Sequence, residues 1–125
     1  MIGAMQNSTQ MQTVVNDVVS EIYGLEWSTN KKERGLRLDE ESLEAGQIAG
    51  VTREQAHALV DRVYDRPPGE AGKEVGDVII CLAAYANAYE LTISDCLGSV
   101  LEHLLDNKEK YREKFEAKKK AGLTG

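Results

Sequence analysis

The chain has 125 residues, 42% of them hydrophobic, with a formal net charge of -6 and a mean hydropathy of -0.41. That is the size of one domain with room for a core, and the acidic balance argues against binding nucleic-acid polymers. No apolar run approaches a bilayer span and no secretory signal opens the chain. Cys81 and Cys96 form neither a disulfide framework nor a CxxC site, so a cytoplasmic protein without a membrane partner is expected.

In chain order, five helices and no strand are expected, an all-α bundle. Met11, Val14, Val15, Val18, Val19 and Ile22 have helical spacing and place a first helix from about Thr9 to Tyr23, stopped at Gly24. A polar connection with Trp27 and Asn30 leads to a second helix, about Lys31 to Ala49. Thr52 and Gln55 make a capping-box pattern that opens a third, with Ala56, Leu59, Val60 and Val63 inward. Arg66-Pro67-Pro68-Gly69 ends it, because proline lacks the N–H a helix needs and biases its predecessor to extended geometry.

The fourth helix, about Glu70 to Tyr89, is the most apolar and is expected to be central, with Cys81 in the core. A fifth starts near Ser94 and runs to about residue 118, its inner stripe Leu97, Leu101, Leu104, Tyr111 and Phe115. The expected organisation is a single domain over 1–125, with 1–8 and 119–125 flexible.

Two acidic clusters carry the chemistry. Glu41 and Glu44 on the second helix, and Glu74 and Asp77 on the fourth, are each three residues apart and share a helix face. Were the two helices to pack together, the four carboxylates would converge. Like charges about 5 Å apart repel by roughly 3 kcal/mol per pair at an effective dielectric near 20. Such a cluster calls for a cation. Donors that are all oxygen suit Mg²⁺, or Mn²⁺, and argue against zinc or a di-iron bundle. Solvated helix faces are the competing explanation, and one acidic pair alone would mean no more than that.

The fifth helix offers His103, Asn107, Lys110 and Lys114 along one stripe, and residues 106–120 hold seven Lys/Arg. Donors and positive charge on one face suit phosphate. Arg34 and Arg37 lie one or two turns before Glu41 and could act similarly. Trp27 is either a hydrophobic staple or a stacking surface for a base, and His57 reads as a surface or partly buried residue. No Gly-rich phosphate loop, Ser/His/Asp set or CxxC pair is present.

Glu40-Glu41-x-x-Glu44 followed by Glu74-x-x-Asp77 resembles the signature of the MazG-like, all-α nucleoside triphosphate pyrophosphohydrolases. The resemblance covers about Trp27 to Phe115 and includes Asn107-x-x-Lys110. It implies that helices two and four hold Mg²⁺ through Glu41, Glu44, Glu74 and Asp77, with Glu40 an outer residue or base beside Glu41. It implies nucleotide contacts at Asn107 and Lys110. Where the family often has Lys, this chain has His103, and the gap between acidic motifs is long. The implied reaction cleaves a (d)NTP between its α- and β-phosphates, giving (d)NMP and pyrophosphate, in a homodimer or homotetramer. The alternative is a helical nucleotide-binding or interaction protein of the same fold with reduced or no catalysis.

Overall fold

The structure, a computed structural model, describes residues 2–125, with side chains from residue 7 onward. Among the described residues all regular structure is helical: α1 Ile2–Tyr23, α2 Leu25–Ser28, α3 Lys31–Ile48, α4 Arg53–Tyr64, α5 Ala71–Ala88, α6 Ile93–Asp106 and α7 Lys108–Lys120. The all-α expectation holds. No helix is long and apolar enough, among the described residues, to cross a membrane.

The boundaries differ from expectation in three places. No proline interrupts the segment before Thr9, and α1 begins at Ile2; Met1, part of the stretch expected to be flexible, lies outside the described residues. The Trp27 connection contains one helical turn, α2. The fifth helix is broken at Asn107 (φ -130°, ψ 36°), whose amide turns back to donate to the His103 carbonyl at 2.9 Å. An asparagine that bonds the backbone one turn earlier competes with the helix, which is why it divides α6 from α7.

The chain forms two compact units, residues 1–40 with 98–125, and residues 41–97. The first has a recognisable core. α1 packs on α2 and α7, burying Val18, Ile22 and Phe115. The Phe115 ring meets Tyr23 and Trp27 edge-on, with centroids 5.3 and 5.1 Å away, an arrangement aromatic quadrupoles favour. Arg112 closes the end of α1, donating to the carbonyls of Ile22 at 2.9 Å and Glu21 at 3.0 Å. Those carbonyls have no helical partner of their own. Lys108 adds an ion pair to Glu21 at 2.6 Å.

Residues 41–97 comprise the end of α3, α4, α5 and the start of α6. Thr52 and Gln55 make both bonds of the capping box, at 2.9 and 3.1 Å. Gly50, at φ 92°, makes the turn into it, a conformation that disfavours any side chain. Tyr85 of α5 donates to the Ala45 carbonyl of α3 at 2.8 Å.

The expectation of a central fourth helix is not met by this chain alone. In α5 only Ala86 is buried, while Val75, Val78, Ile79, Ile80 and Leu82 are exposed. Cys81, expected in the core, is exposed as well, and so are the supposedly inward Leu59, Val60 and Val63 of α4. Periodicity reports which face of a helix is apolar; it does not say whether the same chain covers that face.

Phe115→Ala should destabilise the first unit by about 3–5 kcal/mol, the usual cost of deleting a buried aromatic, read as a fall in the urea midpoint. A loss under about 1 kcal/mol would mean that the Phe115, Tyr23 and Trp27 cluster is not the core.

Candidate functional site

The acidic residues fall into two environments. Glu41, Glu44, Glu74 and Asp77 all belong to residues 41–97, and all four are exposed. Asp77 pairs with Lys73 at 2.7 Å, one turn earlier on α5, and this bond holds the Lys73 ammonium above its ordinary range. Glu74 reaches back over the loop before α5, where a Cβ on Gly69 would lie 3.1 Å from its Oε1. The Tyr85–Ala45 bond links the two helices that carry the acids.

Among the described residues, no group of three or more His, Cys, Asp or Glu side chains is close enough to hold a metal ion. The donor chemistry of the quartet suits Mg²⁺ or Mn²⁺. Its spacing in this chain does not assemble a coordination sphere. Four mutually repelling carboxylates on solvated helix faces separate unless something draws them together.

Glu40, one residue before Glu41, is engaged elsewhere. Lys118 Nζ donates to its carboxylate at 2.8 Å and Arg37 Nη1 at 3.2 Å. The Lys118 hydrogen bond, with the charges of Lys118 and Arg37, holds the Glu40 carboxyl below its usual range against a smaller opposing effect of burial. This ties α3 to α7 and makes Glu40 a poor proton acceptor as it stands.

The expected basic stripe is only partly assembled. His103 and Asn107 touch, with Asn107 Nδ2 3.3 Å from His103 Nδ1. The His103 ring meets Tyr111 edge-on at 5.8 Å, and Lys114 lies over the same Tyr111 at 5.0 Å. Lys110 is exposed on α7, beyond the break at Asn107. Trp27 packs on Phe115 under the Lys119 ammonium, 5.2 Å from the ring centroid. Of its two expected roles the observed contacts are those of the hydrophobic anchor.

The residue that sequence reasoning missed is Glu33, fully buried at 0% exposure. Its backbone N–H is capped by Asn30 Oδ1 at 2.9 Å. Its carboxylate takes Arg34 Nη2 at 3.3 Å and Arg37 Nε at 3.1 Å. The second contact is an ion pair only, since the Arg37 N–H points off the oxygen and forms no hydrogen bond. Asn30 and Glu33 have capping-box spacing and Glu33 and Arg37 are four apart, so the signal was present in the sequence.

No protein-family model matches the sequence, and no curated protein or solved structure is significantly similar to it.

Because the Glu40 carboxyl titrates lower in the folded chain, its pairing contributes stability above its ordinary value of 4.5 and loses it as pH falls through that region. Wild type should therefore exceed Glu40→Gln in melting temperature near neutrality, with the gap closing in acid. The pair is partly exposed, so added salt should shrink the gap too. A gap that ignores both pH and salt would rule out the charge as its source.

Proposed function

We propose that this chain is a Mg²⁺- or Mn²⁺-dependent, MazG-like nucleotide pyrophosphohydrolase that converts a (d)NTP to (d)NMP and pyrophosphate in the cytoplasm. The observation that carries this reading is the order and placement of the acids. Glu41-x-x-Glu44 and Glu74-x-x-Asp77 lie on the end of α3 and on α5, within one unit and joined by the Tyr85–Ala45 bond. In this reading those four residues hold the metal, whose chemistry is to neutralise phosphate charge. Closing on it requires Asp77 to leave Lys73. Asn107, Lys110, His103 and Arg34 are assigned to phosphate, and Trp27 to the edge of the base site. Glu40 is assigned a supporting role beside Glu41.

The second reading, a helical nucleotide-binding or interaction protein without catalysis, is favoured by one observation. The acids are not gathered in the single chain.

Pyrophosphate release from a panel of nucleoside triphosphates with Mg²⁺ or Mn²⁺ separates the two. The expected result is turnover with at least one nucleotide, reduced by orders of magnitude in Glu41→Gln and Asp77→Asn while both variants stay helical. Nucleotide binding without pyrophosphate release would favour the second reading.

The oligomer belongs to the same proposal. Val75, Ile79 and Leu82 form one stripe of α5, each at least half exposed, and a second copy of the chain supplies a matching surface by symmetry. A homodimer or homotetramer is expected, and Ile79→Asp should dissociate it. Light scattering at micromolar concentration checks this, and a wild-type monomer there would refute it.

A further inference from the structure

Within the stretch 119–125, expected to be flexible, residues 121–125 lie against the start of α3. Gly122, at φ 72°, turns the chain off α7, with its N–H and that of Leu123 bonded to the carbonyls of Lys119 and Lys118 at 3.1 and 2.9 Å. Positive φ favours glycine here, and the paired bonds are those of a glycine-terminated helix. Beyond the turn, the Leu123 carbonyl accepts from Arg37 Nη2 and the Gly125 N–H donates to Glu33 Oε1 at 3.2 Å.

The partners of this segment are an unusual group. Arg34 and Arg37 are steered by the buried Glu33 carboxylate. The Nε atoms of both arginines are buried and make no hydrogen bond. Arg34, Arg37 and Lys118 gather here around the carboxylates of Glu33 and Glu40. Guanidinium groups present planar forks of donors matched to phosphate oxygens, and here a backbone carbonyl fills one of those places. The Arg34 side chain is 33% exposed and gives Glu33 only its Nη2, so its fork keeps donors for an anion.

The segment is suited to leave. Leu123, its one large apolar side chain, is 54% exposed and so gives little anchorage. Its fit at the far end requires glycine: a Cβ on Gly125 would collide with the Glu33 backbone nitrogen and lie 2.8 Å from Asn30 Oδ1.

We infer that residues 122–125 are an internal strap over an anion seat formed by Arg34 and Arg37, and that a polyphosphate must displace it to bind. This rests on the proposed function only for naming the polyphosphate as that of a nucleotide. The strap lowers the affinity of the seat by the fraction of time it is closed; closure four-fifths of the time corresponds to about fivefold. It makes nucleotide capture a competition with the chain's own backbone.

Inorganic tripolyphosphate, titrated calorimetrically in EDTA, tests the strap without metal or hydrolysis. Gly125→Val, and separately the chain lacking 123–125, should bind it roughly fivefold more tightly than wild type. Arg37→Gln or Arg34→Gln in either background should remove the gain. Both changes act on the contact with the buried Glu33 and remove no core side chain, and circular dichroism should show all variants equally helical. Equal affinity in wild type and both strap variants would overturn the strap, and no binding by any of them would overturn the seat. Tighter binding in the strap variants, with no pyrophosphate released from any nucleotide, would leave the strap standing and remove only the hydrolase.

Discussion

An amphipathic helix is stable in water only when its apolar stripe is covered, because propensity alone rarely holds a short helix together. Residues 1–40 and 98–125 meet this constraint with α1, α2 and α7 around Phe115. Residues 41–97 do not meet it by themselves. Each large aliphatic side chain moved from water into a core contributes about 1.5–3 kcal/mol. Val75, Ile79 and Leu82 are 58%, 57% and 50% exposed, so covering what remains contributes roughly 2–5 kcal/mol, a large share of the net stability of a typical domain. Within residues 41–97 that stripe is left uncovered.

Charge is distributed by the same logic. Glu33 is withdrawn from water and has two guanidinium groups beside it, the condition under which a buried carboxylate is tolerated. Glu41, Glu44, Glu74 and Asp77 remain solvated. Glu40, between Glu33 and Glu41 on α3, is held by Lys118 and Arg37. Glu33 and Glu40 are held in contacts that organise the first unit, whereas Asp77 makes an exposed pair with Lys73 on its own helix.

Much of the local structure was legible in the sequence. The Thr52–Gln55 box, the Pro67-Pro68 stop and the start of α3 at Lys31 were each announced by residues whose backbone preferences are strong and local. The break at Asn107 was missed because the apolar stripe continues across it in phase, hiding a side-chain bond to the preceding turn. The exposure of α5 was missed because its pattern is the same whether its cover comes from this chain or another. At the acidic motifs the sequence indicated which donors share a helix but not how far apart the two helices hold them. Glu33 stood at capping-box spacing from Asn30 and four residues before Arg37, but its full burial comes from packing that the charged run does not reveal.

The first unit is assembled from the two ends of the chain, with residues 41–97 inserted between them. Arg112 reaches the Ile22 carbonyl across a separation of 90 residues. Closing so long a loop is entropically slow to reward, since nothing is gained until both ends meet. During synthesis α1 leaves the ribosome well before α7 exists, and its apolar stripe must wait. The contiguous middle segment can form its helices in that interval, but it too presents uncovered apolar surface. Until α7 is made, the apolar stripe of α1 lacks the helix that covers it.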